Sequence, residues 1–413
     1  MEINSGDTAW VLASAALVMF MTPGLALFYG GMVRSKNVLS MLMNNVFCLG
    51  LISVLWAVVG FTLAFGRLGD GGWLGNLDFF GLKDIAMGVG NFAPGIPDIA
   101  FVAFQMTFAI ITPALITGAV ADRMKFGAWV AFIALWSILV YSPVAHWIFG
   151  GGWLFERGAL DFAGGAVVHV NAGAGALALV IILGRRIGWP REAMPPHSLP
   201  LTLLGTGILW FGWFGFNAGS ALAANGVAAQ AFMNTFLAAA AAMLGWLIVE
   251  RIKTGHATTL GAASGAVAGL VAITPCAGFV GGLAPIAIGA IAGAVCYLAI
   301  QLKFRFQYDD SLDVVAVHLV GGLIGSILLG LFADASATGL GADGVFFGGG
   351  WSLFGEQVLA VAVVLAFSFV VSGIIGMVLR AVVPGGIRVS DEDEEIGLDQ
   401  TQHAETGYAL ERV

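Results

Sequence analysis

The chain of 413 residues is predicted to fold as an all-α polytopic membrane protein with eleven transmembrane helices. Three observations carry that prediction. Hydrophobic residues make up 59% of the chain and charged residues only 10%, a balance that places it in the membrane class. Apolar runs of about 20 residues, enough to cross ~30 Å of hydrocarbon as helix, recur along the whole length. The 60 glycines are roughly double the share expected from the ~7% average usage.

The first run, at approximately 9–31, follows Glu2 and Asp7 with no Lys or Arg before it. It therefore lacks the basic region of a cleaved signal peptide and reads as a true span. The next runs fall at approximately 40–65, 99–120, 127–148, 163–183, 200–220 and 229–249. The eighth and ninth, approximately 258–275 and 282–302, are divided by a Gly/Pro-rich stretch around Thr274-Pro275-Cys276, which loosens their boundaries. Runs at approximately 314–333 and 355–380 complete the set.

The basic residues set an orientation. With the N-terminus outside, the cytoplasmic loops and tail hold Arg34, Lys36, Arg123, Lys125, Arg185, Arg186, Arg191, Arg251, Lys253, Lys303, Arg305, Arg380, Arg388 and Arg412. Only Arg67, Lys83 and Arg157 remain outside. The positive-inside rule then predicts N-out, C-in. From Gly386 onward, Asp391, Glu392, Asp393, Glu394, Glu395, Asp399, Glu405 and Glu411 face only Arg388 and Arg412, so the tail carries −6 of the chain's net −8. Residues 1–385 form the membrane domain and 386–413 an acidic cytoplasmic tail, expected to be solvated and partly disordered because it is too poor in apolar residues to build its own core.

The chemistry this composition excludes is broad. Cys48, Cys276 and Cys296 are odd in number and lack motif spacing, which suits apolar packing. Gly348-Gly349-Gly350 lacks the strand-to-helix setting of a phosphate loop, and no metal cluster or nucleophile elbow is visible. The chain is not expected to be an enzyme, to hold a cofactor or metal, or to bind nucleic acid.

Five spans before the Arg185–Pro200 loop and five after it run in opposite orientations, the arithmetic of an inverted repeat with an eleventh span added. His169 lies near the start of the fifth span and His318 near the start of the tenth, each in an otherwise uncharged apolar stretch. Such groups mark substrate or proton paths in a bilayer, and entering from opposite faces both approach mid-membrane. The alternative is two separate histidines, each bonded to a neighbouring helix. Asp161 and Asp313 precede these spans and suit helix capping. Aromatics crowd the same region: Phe104 and Phe108, then Trp147, Phe149 and Trp153, then Phe211, Trp213, Phe214 and Phe216. Rings near a mouth, with an acceptor such as Ser220, could hold a partly dehydrated small cation, although packing and interface roles suit most of them.

The strings Asp161-Phe-Ala-Gly-Gly-Ala-Val-Val-His169-Val-Asn-Ala-Gly, Trp213-Phe-Gly-Phe-Asn-Ala-Gly-Ser220 and Asp309-Asp-Ser-Leu-Asp313-Val-Val-Ala-Val-His318 resemble the hallmark segments of the ammonium transporter (Amt/Mep/Rh) family, closest to its Amt branch. The likeness extends from the first span, through Phe104-Gln-Met-Thr-Phe108, to Gly386-Ile-Arg-Val-Ser390. It implies a homotrimer of eleven-span protomers in the cytoplasmic membrane, each with a narrow hydrophobic pore for ammonium or ammonia and, as an analogue, methylammonium. By the same resemblance, Phe108 and Ser220 belong to an outer recruitment site, Phe108 and Phe216 close the pore below it, His169 and His318 line it, and Asp161 shapes the outer site by holding backbone. A PII-type nitrogen-signalling protein is an implied partner of the cytoplasmic face. One departure stands out: where the family commonly has tryptophan before Gly-Gly-Gly, this chain has Phe149 ahead of Gly150-Gly151-Gly152. Phenylalanine keeps a ring face but loses the stronger cation attraction of indole. Two rivals remain, an ammonium sensor of the same fold and an Rh-like gas channel. About 30 residues after Val383 are too few for a signalling domain, and the recruitment-site matches favour a cation over a gas.

Overall fold

The computed structural model describes residues 2–408, and among these the regular structure is helical, with no strand beyond two isolated backbone bridges. Eleven apolar helices follow in order: α1 (Ser5–Met32), α2 (Ser35–Phe65), α3 (Asp98–Val120), α4 (Phe126–Glu156), α5 (Gly165–Leu183), α6 (Leu199–Ala221), α7 (Gly226–Thr254), α8 (Thr259–Ile273), α9 (Ala284–Phe306), α10 (Val315–Phe332) and α11 (Ser352–Val382). Ten of them are long and apolar enough to cross a membrane. The shorter α8 has 15 residues, about 22 Å at 1.5 Å per residue, and the chain turns back through 274–283 before α9 begins. That turn is the Gly/Pro-rich stretch that blurs the eighth and ninth spans in the sequence. An odd number of crossings puts the ends of the bundle on opposite sides, here termed the amino-terminal face and the tail face.

Polar residues start the helices where chain leaves solvent-facing loops. Asn4 accepts from the N–H groups of Gly6 and Asp7 (2.9 and 3.1 Å), Asn225 from Ala228, and Thr258 from Gly261. Each satisfies a first-turn donor that has no partner within the helix.

Glycine sets how closely the central helices approach. A Cβ on Gly173 of α5 would lie 2.5 Å from the backbone nitrogen of Leu319 in α10, and one on Gly322 of α10 would lie 2.9 Å from the carbonyl oxygen of Gly165. Neither position can carry a side chain without separating the two helices that hold the histidines. Both helices also begin in π-helical turns, Gly165–Val170 and Val315–Leu319. A π turn inserts an extra residue and is frequent at functional sites; two others lie in α2 and α4, at Trp56–Gly60 and Ser137–Tyr141. His169 and His318 sit inside the pair that begins α5 and α10.

The tail departs from the solvated end expected of it. Its segment 386–389 pairs with the α3–α4 loop, Lys125 N–H donating to Ile387 and Val389 N–H to Arg123, and it continues into α12 (Asp391–Ile396) and α13 (Leu398–His403). Ile387, Val389 and Leu398 are buried against the tail face. Its charge did not forbid this, because the carboxylates that dock find partners. Glu394 pairs with Arg388 at 2.6 Å and accepts from Ile187 N–H, while Asp399 accepts from Ser40 N–H. Asp391, Glu392, Glu395 and Glu405 stay exposed, so the composition reports them and misses the docked ones.

Candidate functional site

A vestibule of about 220 Å³ opens near the amino-terminal face, lined by Phe101, Gln105, Phe108, Phe149, Asp161 and Ser220 among others. Four residues singled out from the sequence, on four different helices or loops, are therefore neighbours in space. Asp161 does not offer its charge to the vestibule. Its two oxygens accept from the N–H groups of Gly164, Gly165, Ala166 and Val167 at 2.6–3.1 Å, so it builds the start of α5. Burial raises its pKa, and these four donors pull against that. The Ser220 hydroxyl donates to the carbonyl of Phe216 at 2.8 Å, leaving its lone pairs for a donor from outside.

Below the vestibule the rings form a continuous column. Phe104 meets Phe108 edge-on at 4.9 Å between centroids, and Phe108 meets Phe216 at 4.4 Å. Phe216 lies 6.1 Å from His169, and His169 stacks 5.4 Å from His318. The Phe108–Phe216 contact lies between the vestibule, which Phe108 lines, and the cavity at the histidines, which Phe216 lines. The histidines border a cavity of about 10 Å³ whose other walls are apolar or aromatic, including Met21, Leu25, Ile111, Leu115, Trp213 and Val267. That volume holds about one water-sized molecule.

The histidines are directly coupled, Nδ1 to Nδ1 at 3.3 Å. The Tyr29 hydroxyl donates to the carbonyl of Leu115 at 3.1 Å and lies 3.4 Å from Nε2 of His318. A phenol has one hydrogen, so its oxygen is left to accept from Nε2–H of His318. This assignment makes Nδ1 of His318 the acceptor and Nδ1–H of His169 the donor. Nε2 of His169 then carries a bare lone pair, and this buried atom has no partner within the described protein.

Residues 9–408 match the model of the Ammonium Transporter Family. The chain belongs to this family. An ammonium transporter of Mycobacterium bovis is 50% identical over 98% of this chain and 90% of its own length. The crystal structure of Candida albicans Mep2 superposes with a TM-score of 0.90 at 34% identity, covering all of this chain and 94% of that one. A sensor Amt protein matches nearly as well, with a TM-score of 0.88 at 32% identity over 96% of this chain and 98% of its own. The fold is thus common to proteins named for transport and for sensing.

Seen as an ammonium transporter family member, the chain keeps its departure at Phe149, and no tryptophan replaces it. Trp147 donates to the carbonyl of Trp73 at 2.8 Å, and Trp153 stacks on Trp73 at 5.0 Å, both away from the vestibule wall. The capping role expected of Asp313 belongs instead to Asp310, whose Oδ2 accepts from Val315 N–H at 2.7 Å, while Asp313 pairs with Lys303 at 2.6 Å. The reason is geometric: Asp313 has a left-handed backbone (φ 62°) one residue before the helical run, which turns its carboxylate to Lys303 and away from the first-turn donors. Burial and the neighbouring Asp313 push the Asp310 carboxyl up to about 6.

Tyr29, Gln105 and Asp310 are site residues that the sequence reading did not single out. A hydroxyl or amide alone in an apolar span was the available signal for the first two. For Asp310 the run Asp309-Asp310-Ser311-Leu312-Asp313 offers three carboxylates, and only the turn geometry selects among them.

Proposed function

We propose that this protein carries ammonium across the cytoplasmic membrane by recruiting the cation at the vestibule, removing a proton, and passing ammonia by the histidines. The observation that supports this best is the sequence of chambers: a vestibule with ring faces and a free hydroxyl acceptor, a closed pair of phenylalanines, then a one-molecule apolar cavity holding coupled imidazoles. Ammonium and potassium are alike in size and charge, so a size filter does not part them. An apolar passage rejects a charge that cannot be shed, because desolvation without replacement costs many kcal/mol. Ammonium alone of the two can leave its proton behind.

The residues divide that work. Phe108, Phe149 and Ser220 replace part of the ion's water with π faces and an oxygen acceptor. Asp161 fixes the backbone beside them. Phe108 and Phe216 rotate to admit one molecule at a time. The bare Nε2 of His169 meets the arriving molecule as an acceptor, and the His169–His318–Tyr29 chain orients that lone pair and offers a proton route onward. No ATP-binding motif is present, so the gradient or membrane potential drives the flux inward.

The decisive experiment is the current from proteoliposomes after a pulse of ammonium, with an equal potassium pulse as control. Current for ammonium alone supports the reading. If there is no current, a pH dye inside the vesicles reports on neutral ammonia by alkalinisation; silence in both assays sinks transport and leaves the sensor reading.

The same proposal covers assembly and orientation. The protomers form a trimer, the vestibule faces outward, and the tail lies in the cytoplasm, where it offers a surface to a PII-type protein. Spans 1–5 and 6–10 act as inverted repeats, supported by the matching π turns at His169 and His318. Native mass spectrometry giving only monomers, or labelling of Lys83 from the cytoplasmic side alone, contradicts the first two points. PII retention unaffected by deleting 386–413 contradicts the last.

A further inference from the structure

Gln105 sits on α3 three residues before Phe108, so the two project from one face of the helix. Both line the vestibule. The side-chain oxygen of Gln105 is buried and has no hydrogen-bond partner within the described protein. A buried acceptor left unpaired costs free energy, and such groups are rare enough in folded proteins to require an explanation.

The vestibule's other oxygens are already allotted. Asp161 uses both carboxylate oxygens on four backbone N–H groups, and the Ser220 hydroxyl has given its hydrogen to Phe216. Ammonium carries four N–H donors in tetrahedral array. Ser220 and the ring faces of Phe108 and Phe149 cannot meet all four with strong acceptors, least of all with phenylalanine where an indole would attract a cation more strongly. An amide can turn over at little cost, and a cation selects its oxygen end.

We propose that Gln105 is a recruitment ligand, its side-chain oxygen accepting an N–H of the ammonium ion held between Phe108, Phe149 and Ser220. The proposal rests on the reading of the vestibule as an ammonium site and adds to it a specificity-determining residue. Gln105 offers an uncharged acceptor, so it favours a donor-rich cation without trapping it as a carboxylate would. It also accounts for a recruitment site that functions with Phe149.

The test is the concentration dependence of the ammonium-evoked current in proteoliposomes of wild type, Gln105→Leu and Gln105→Glu. Leucine keeps the bulk and removes the acceptor; the expected result is KM raised about tenfold with maximal current within about twofold of wild type. Glutamate restores an oxygen acceptor at the same place, and its KM is expected at or below that of wild type. A packing role predicts the reverse, since leucine suits an aromatic wall and a charge does not. KM unchanged in Gln105→Leu, or raised alike in both variants, overturns the proposal. Should Gln105→Leu fail to fold by thermal melting, Gln105→Met poses the same question. If wild type gives no current, the same KM comparison is read from the rate of internal alkalinisation; silence of wild type in both assays instead refutes transport, so the two failures remain distinct.

Discussion

His169 and His318 gain their meaning from what they lack: among the described residues no carboxylate is hydrogen-bonded to either, and their polar partners are each other and Tyr29. If the pair serves passage, His169→Leu and His318→Leu should each reduce the ammonium current by about 100-fold, in line with the loss of a positioned acid–base group, or abolish its preference over potassium. Both variants should remain folded, since leucine suits a cavity walled by Leu25, Ile111 and Val267. Unchanged selective current in both would reduce them to packing. Phe149 tests the vestibule in the opposite direction. Phe149→Trp restores the indole, and a cation–π gain of roughly 0.5–1 kcal/mol should lower KM by about two- to fivefold. An unchanged KM would place Phe149 outside the ion's coordination. His169 and His318 were legible in the sequence because a polar ring in a long apolar run is unusual; Phe108, Phe216, Ser220 and the outer-site role of Asp161 were singled out only by the resemblance to the family's motifs, since rings are common in such runs. Tyr29 and Gln105 escaped because the contact of one with His318 and the unpaired oxygen of the other are visible only among three-dimensional neighbours.

The elements that carry the site are anchored at the tail face by buried charge. Arg186 holds Asp309 through Nε and Nη2 at 2.9 and 2.8 Å, and Arg123 Nη2 donates to the Asp309 carbonyl, tying the α3–α4 and α5–α6 loops to the segment that leads into α10. Burial acts to raise the Asp309 carboxyl, but the hydrogen bonds and charge of Arg186, with Arg123, outweigh it and hold the pKa below its usual value. A lowered carboxylate contributes stability above its unfolded pKa and loses it as pH falls through the folded one. Arg186→Ala strands a buried carboxylate, at a cost of about 3–5 kcal/mol. The melting-temperature gap to wild type should therefore be widest near neutral pH and close as pH falls below ~4. A gap independent of pH would mean that packing, not this pair, carries the loss. The helices themselves were legible from apolar run length. Asp310 in place of Asp313 was not, because the sequence offers three equivalent carboxylates and the backbone turn at 313 chooses.

Across the whole molecule, the tail closes the face from which it leaves. Lys36 Nζ donates to the backbone carbonyls of Glu394 and Glu395, Leu398 N–H donates to Asn37, and Ser40 N–H donates to Asp399. These contacts join the last segment of the chain to the start of α2. Deleting residues 386–413 uncovers the apolar footprint of Ile387, Val389 and Leu398 and removes the tail's partners of Asn37 Oδ1, Lys125 N–H and the Arg123 carbonyl. A lower melting temperature and a changed maximal ammonium current are the expected results. A truncated protein equal to wild type in both would make the tail an independent appendage.

The sequence by itself determined that this chain crosses a membrane eleven times, which residues interrupt its apolar helices, and which family's motifs those residues match. It could do so because bilayer hydrocarbon imposes one rule on every span, so that length and polarity can be read locally. What only the tertiary structure decided is which interruptions meet. His169 faces His318 because glycines let α5 and α10 approach and π turns rotate both rings inward. An orphan oxygen marks Gln105 in the vestibule beside Phe149 and Ser220. Each of these depends on distances between residues far apart in the chain, and a one-dimensional pattern does not contain them.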